Sequence, residues 1–135
     1  APGWSLISLN DQRVDLNDLL GSLVLIDFFY KSCHPCMLAL PALQRLHEKY
    51  HDQGLRVIGI DPYDSKEEDE LDDFLTKRGI TYTVLLSDKS LPEQYHVSGY
   101  PTLYLMGRDG RIVYRQTGYG ETTEEKLEKI IQENL

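Results

Sequence analysis

Apolar residues change their spacing at one short segment in the first half of this chain. Residues 23–30, with the sequence LVLIDFFY, form a nearly continuous apolar run that is typical of a strand buried on both faces. Residues 34–52 then carry apolar side chains at helical spacing. The pattern therefore predicts a central parallel strand, followed at once by a helix.

The other segments alternate between predicted strands and predicted helices. The strands are residues 4–9, 12–14, 55–60, 81–86, 102–106 and 111–116, and the helices are residues 16–20, 65–78, 91–96 and 123–134. Asp109-Gly110 is a hairpin turn signal, and the last helix is expected to turn Leu127, Ile130 and Ile131 inward. This order predicts an α/β fold: a mixed central sheet flanked by helices on both faces, parallel at its centre and antiparallel at one edge. We expect residues 1–135 to form a single domain.

Composition narrows the classes of function. The formal net charge of −8 argues against nucleic acid or an anionic membrane surface as a partner. No apolar run approaches the roughly 18 residues that a membrane-spanning helix requires. The chain opens at Ala1-Pro2-Gly3 without a methionine, as a processed product or an excised domain would, so a missing signal peptide says nothing about its origin.

Two cysteines, Cys33 and Cys36, stand at the predicted strand-to-helix junction and enclose His34 and Pro35. Unpaired N–H groups at a helix start favour negative charge, which stabilises the thiolate that attacks disulfides. A stabilising disulfide would more usefully close a longer loop. The motif therefore indicates a thiol–disulfide redox centre, with Cys33 as the nucleophile and Cys36 as the resolving thiol. Pro35 would fix φ at the helix start without losing a needed N–H group.

Two further side chains have more than one interpretation. A charged His34 beside Cys33 would favour the thiolate and make the disulfide more oxidising, whereas an exposed neutral His34 would have little effect. Asp27 lies within an apolar strand, where burial without a partner is costly. It is either solvated at the strand edge, bonded to a core group, or buried with a raised pKa that suits general acid/base work.

The residues around the cysteines resemble thioredoxin. Asp27-Phe28-Phe29 precedes the CHPC motif, Pro41 follows five residues after Cys36, and Gly99-Tyr100-Pro101-Thr102 and Gly118 come later in the chain. The N-terminal hairpin and the extra helix–strand unit at residues 65–86 resemble the extracytoplasmic TlpA/ResA-type thioredoxins. The resemblance implies a thioredoxin-like fold with an N-terminal β-hairpin and a helix–strand insertion.

The same resemblance assigns roles to single residues. Asp27 would be a buried acid beneath Cys36 that exchanges its proton during resolution. Pro101 would be a cis-proline facing the redox pair, and the backbone of Tyr100 would pair with an extended substrate segment. The chain departs from the family at two positions. Ser32 stands where a tryptophan is usual, so that Tyr30 or Tyr63 would have to supply aromatic cover, and Ala39 stands where many TlpA/ResA-type members carry a glutamate.

Partners and compartment are likewise implied by the resemblance. We expect a disulfide-containing protein substrate, a separate dithiol electron donor, a monomeric protein, and no cofactor beyond the Cys33–Cys36 disulfide. The expected location is extracytoplasmic, in a bacterial periplasm or tethered outside the cytoplasm. A thiol pair kept reduced there would need electrons from a separate source.

Other chemistries agree less well with the sequence. His47 and His51 are spaced as a helical pair, but Cys36 lies about 16 Å of helix away from His47, so no metal site is expected. A thiol peroxidase of the AhpC/TSA-related kind would use a sulfenic acid on Cys33 that condenses with Cys36, but peroxiredoxins have a threonine where this chain has Tyr30. A non-catalytic thioredoxin-like binding module is the third alternative, and the intact CxxC argues against it.

Overall fold

Seven strands form one mixed sheet in the computed structural model, which describes residues 2–135. The strands are β1 (Ser5–Ser8), β2 (Arg13–Asp15), β3 (Leu23–Phe28), β4 (Leu55–Asp61), β5 (Thr83–Leu86), β6 (Thr102–Met106) and β7 (Ile112–Thr117). The helices are α1 (His34–Tyr50), α2 (Leu71–Lys77), α3 (Ser90–Gln94) and α4 (Thr123–Asn134), with 3₁₀ turns at Leu16–Leu19 and His51–Gln53. The strand order is β2-β1-β5-β4-β3-β6-β7, and the central strands β5, β4 and β3 are parallel. The predicted α/β, thioredoxin-like fold is confirmed.

Strand β3 is central because it is apolar on both faces. Leu23 and Leu25 point to one face, and Val24, Ile26 and Phe28 point to the other. Helices α1, α2 and α4 cover the first face, which we call the α1 face, and α3 covers the opposite face together with the 3₁₀ turn at Leu16–Leu19. By this alternation the side chain of Asp27 points to the α1 face.

Ion pairs hold α4 against α1 at the protein surface. Arg45 Nη2 lies 2.6 Å from Glu124 Oε1, and Lys49 Nζ lies 2.5 Å from Glu128 Oε2. These side chains are partly exposed, so the pairs orient the two helices more than they stabilise them. Within residues 2–135, none of the helices has both the length and the apolar composition needed to cross a bilayer.

Two predicted features were wrong in detail. The sheet is antiparallel at both edges rather than one, because β1 pairs antiparallel with β5 and so joins the N-terminal hairpin to the sheet. The helix predicted from residue 65 begins only at Leu71. Residues 65–69 form a turn in which the Asp69 carboxylate accepts from Ser65 N, and Glu70 has a positive φ of 49° that interrupts helical geometry.

Candidate active site

The two cysteines lie at the start of α1, shortly after the end of β3. Cys33 is the N-cap of α1, and its Sγ accepts a hydrogen bond from the backbone N–H of Cys36 at 3.3 Å. The two residues are joined by a disulfide with a Cα–Cα distance of 5.2 Å. Cys36 is wholly buried and Cys33 retains 5% exposure, so Cys33 is the residue of the pair that solvent can reach. The predicted position of the pair at the helix start is confirmed, and Pro35 lies in the first turn as expected.

Asp27 is buried on the α1 face, one residue before the end of β3. Neither carboxyl oxygen has a hydrogen-bond partner among residues 2–135. Burial raises the pKa of the Asp27 carboxyl from its usual 3.8 to about 8. Of the three environments considered from the sequence, the structure has the buried, unpaired one. A carboxyl with this pKa is mainly protonated at neutral pH, and its pKa is close to that of a cysteine thiol.

The loop before β6 lies beside the cysteine loop. Thr102, the first residue of β6, pairs with Phe28 near the end of β3, so residues 99–101 lie next to the segment that leads to Cys33. The Tyr100–Pro101 peptide bond is cis, as predicted, and Pro101 is buried.

Three tyrosines surround an open pocket at this end of the sheet. The rings of Tyr30, Tyr63 and Tyr100 pack edge to face, with centroids 5.2 to 5.7 Å apart. With Ser32 and Asp64 they line a pocket of about 490 Å³. Tyr30 and Tyr63, the rings expected to compensate for Ser32, thus lie together with Ser32 around one pocket, and Tyr100 adds a third ring.

A second buried acid at this edge, Asp61, was missed from the sequence. Its Oδ1 accepts from the backbone N–H groups of Tyr63 and Asp64, at 2.9 and 3.0 Å. Asp64 Oδ2 in turn accepts from Lys31 N at 2.6 Å. Burial, and then the neighbouring Asp64 carboxyl, raise the pKa of Asp61. The two acids therefore tie the loop after β4 to the loop that precedes Cys33. The available signal was an acid at the end of an otherwise apolar strand, whereas Asp27 drew attention because it lies within one.

The remaining side chains of interest are exposed or contact groups other than the sulfurs. His34 is exposed, and its effect on the Cys33 thiolate stays a prediction. The Lys31 ammonium donates to Asp69 O and lies over the Phe74 ring. His47 and His51 contact each other in the last turns of α1 and in the turn that follows, with ring centroids 5.1 Å apart.

The assembled site can carry out thiol–disulfide exchange. It brings together one reachable sulfur at a helix start, one buried sulfur a turn away, and a protonatable acid on the same face of the sheet. The helix start stabilises the thiolate of the first sulfur, and the acid offers a proton acceptor or donor for the second.

Comparisons with known proteins agree with this chemistry. The chain matches the model of the AhpC/TSA family over residues 1–115. It is 29% identical over 130 residues to the thioredoxin-like protein YneN of Bacillus subtilis (strain 168), covering 96% of this chain and 75% of that protein. It is 28% identical over 137 residues to the thiol-disulfide oxidoreductase ResA of Bacillus thuringiensis (strain Al Hakam), covering 98% of this chain and 75% of ResA.

A solved structure agrees as well. The Chlorobium tepidum protein assigned as the thiol:disulfide interchange protein DsbE matches with a TM-score of 0.89 and 28% identity, covering 99% of this chain and 94% of that one. The match extends beyond the CxxC to nearly the whole fold. The chain therefore belongs to the AhpC/TSA family, and it is a thioredoxin-like thiol–disulfide oxidoreductase.

Proposed function

We propose that this protein reduces disulfides of other proteins outside the cytoplasm, with Cys33 as the attacking thiolate. The observation that carries the role of Cys33 is its position as the N-cap of α1, where the N–H of Cys36 donates to its sulfur. A thiolate at this position gains both that hydrogen bond and the favourable end of the helix dipole. The direction, reduction of the substrate, is proposed from the TlpA/ResA-type resemblance of the sequence.

The reaction follows from the accessibility of the two sulfurs. The Cys33 thiolate attacks one sulfur of the substrate disulfide, forms a mixed disulfide and releases the other substrate sulfur as a thiolate. The ionised fraction of Asp27 then takes the proton of the Cys36 thiol. The Cys36 thiolate attacks Cys33 Sγ, the Cys33–Cys36 disulfide forms, and the second substrate sulfur leaves as a thiolate that takes up a proton. Two electrons have passed from the enzyme dithiol to the substrate.

Substrate binding is assigned to the loop beside the cysteines. The Tyr100 backbone, next to Pro101, would pair with an extended substrate segment as an added strand. The pocket lined by Tyr30, Tyr63 and Tyr100 lies beside this path and offers room for a neighbouring substrate side chain.

The proposed compartment and electron supply rest on the similarity to ResA and on the TlpA/ResA-type resemblance of the sequence. In an oxidising compartment the Cys33–Cys36 pair has to be reduced again after each turnover. We therefore infer a separate dithiol protein as the electron donor. His34 is exposed beside Cys33, and an oxidising potential in the experiment that follows would point to this residue.

The proposal is tested by the reduction potential of the Cys33–Cys36 pair in graded glutathione buffers. A potential near the thioredoxin value of roughly −270 mV supports a reductase, and one near roughly −120 mV identifies an oxidant and directs attention to His34. Mixed disulfides with a protein substrate should accumulate on the Cys36→Ser variant and not on Cys33→Ser, which serves as the matched control. Rapid peroxide consumption with a sulfenic acid on Cys33 would instead favour the peroxidase alternative.

A further inference from the structure

The α1 face of the sheet holds three side chains whose buried polar atoms lack partners. Within residues 2–135, the Asp27 carboxyl oxygens, the Tyr82 hydroxyl and His47 Nδ1 all have no hydrogen bond. Buried polar groups in folded proteins are nearly always hydrogen-bonded. Three such groups on one face are therefore candidates to pair with one another after a small movement or through a water molecule.

The sheet register brings Tyr82 toward Asp27. Gly59 of β4 stands opposite Asp27 of β3, and it has no side chain. The rings of Phe29 and Tyr82 occupy the space above it: a Cβ at Gly59 would lie 3.0 Å from Phe29 Cε1 and 3.4 Å from Tyr82 Cε1. Tyr82 is only 4% exposed, so its hydroxyl is confined to this layer. The absence of a side chain at Gly59 thus makes room for an aromatic ring that carries a polar end.

The pKa of the Tyr82 hydroxyl agrees with a position near Asp27. Burial raises the pKa of the Tyr82 hydroxyl well above its usual value, and the charge of Asp27 raises it further. Two groups that influence each other in this way share one low-dielectric region.

The other titratable groups on this face come from several elements. Helix α1 contributes Cys33, Cys36, His47 and Tyr50, β4 ends in Asp61, and the margin of the cluster holds Tyr30, Tyr100, Tyr114 and Tyr119. The buried side chains of α2 are Leu71 and Leu75, and those of α4 are Thr123, Leu127 and Ile131, so neither helix adds a buried titratable group. His47 is the competing partner for Tyr82, because its ring centroid lies 6.1 Å from that of Tyr82. Burial, and then the neighbouring His51, lower the pKa of His47.

We propose that the Tyr82 hydroxyl is the hydrogen-bond donor to the Asp27 carboxylate, directly or through one water molecule, and that it acts as a positioning residue for proton transfer from Cys36. The inference rests on the proposed function, in which Asp27 accepts that proton. A hydrogen bond to the ionised carboxyl favours ionisation. Tyr82 therefore increases the fraction of Asp27 that is ready to act as a base at neutral pH.

The test is the Tyr82→Phe variant, which keeps the ring over Gly59 and removes only the hydroxyl. The ionisation of Asp27 is followed by carboxyl carbon NMR in the oxidised protein, where neither cysteine titrates. Losing one hydrogen bond to a charged group should weaken the ionisation of Asp27 by about tenfold, so that its titration midpoint moves to higher pH. An unchanged midpoint overturns the proposal. So does a change confined to the His47 midpoint, because the hydroxyl would then belong to His47.

The control variant is Tyr95→Phe. Tyr95 is also buried, but it packs on the opposite face, and its hydroxyl donates to Pro2 O at 2.5 Å. Removing this hydroxyl should leave the Asp27 midpoint where it is in the wild type. A shift of equal size in both variants would reveal a general effect of losing a buried hydroxyl and would overturn the specific pairing.

Kinetics separates this inference from the proposed function. Resolution of a mixed disulfide on Cys33 should slow about tenfold in Tyr82→Phe at neutral pH, and recover as the pH rises above the Asp27 midpoint. If Asp27→Asn leaves the pH profile of resolution unchanged, the base role of Asp27 fails, and the NMR midpoints still decide the Tyr82 pairing. If Asp27→Asn alters the profile and Tyr82→Phe does not, the inference about Tyr82 alone fails.

Discussion

Replacing Asp27 by asparagine tests whether burial alone controls this carboxyl. The side chain is fully buried, and among residues 2–135 nothing donates to either oxygen. Its pKa is about 8 in the folded protein against a usual value of 3.8. Below pH 3.8 both the folded and the unfolded chain carry the proton, so the group does not change stability with pH there.

Above pH 3.8 the loss of unfolding free energy grows with pH, because only the unfolded chain releases the Asp27 proton. Each pH unit between the two pKa values costs the folded protein about 1.4 kcal/mol. The wild type should therefore lose about 4 kcal/mol of unfolding free energy by pH 7, and the loss should level off near pH 8. Asparagine cannot ionise, so the Asp27→Asn variant escapes this loss and should be more stable than the wild type by about that amount at pH 7.

Urea unfolding of the oxidised protein measures this difference, since the Cys33–Cys36 disulfide removes both thiols from the titration. The free energy of unfolding would be followed from about pH 4 to about pH 8 for both proteins. Asp52→Asn is the matched control, because the Asp52 side chain is fully exposed. Its stability should follow that of the wild type across the range.

Two results would refute the reasoning. A stability difference between Asp27→Asn and wild type that is equal at every pH would mean that the Asp27 carboxyl is not titrating with a raised pKa. A variant less stable than the wild type at pH 7 would mean that the charge of the carboxylate is stabilised by far more than the single hydrogen bond proposed from Tyr82.

Three further changes probe the packing around the site. Gly59→Ala should destabilise the protein by about 1 to 3 kcal/mol in urea unfolding, because the new Cβ would lie 3.0 Å from Phe29 Cε1. Unchanged stability would show that the neighbouring side chains move aside without cost. Asp64→Ala should speed hydrogen exchange of the Lys31 amide, which donates to Asp64 Oδ2, and an equally protected amide would contradict the loop-to-loop link. Leu43→Ala should cost about 2 to 5 kcal/mol in unfolding free energy, since Leu43 is wholly buried under the sheet, and a loss below about 1 kcal/mol would mean that the core closes over the cavity.

Local patterns predicted most of the elements because the signals that specify them are themselves local. The apolar run of β3 and the helical spacing of α1 needed no distant information, and the structure has both. The start of α2 was predicted too early because the interactions that compete with helix formation at residues 65–70 involve residues outside this segment. Lys31 Nζ, far away in sequence, donates to Asp69 O, and Glu70 takes a conformation that spacing does not reveal.

Some residues of the site could likewise be identified from local patterns, and others depend on distant parts of the chain. The CxxC at a strand-to-helix junction could be identified from adjacent residues, and the cis-proline from a resemblance in its motif. Asp61 was missed because an acid at a strand end looks the same in sequence whether it is solvated or buried. Its burial and its link to Asp64 depend on how the loops after β3 and β4 pack together.

The sequence by itself determined the order of strands and helices, the position of Cys33 at the start of a helix, and hence the chemistry of the pair. These follow from side-chain periodicity and from backbone groups within a few residues of one another. Only the tertiary structure decided how Asp27 ionises, which tyrosines line the pocket, and which aromatic rings lie above Gly59. Desolvation and packing are set by residues brought from distant parts of the chain, so no local pattern contains them.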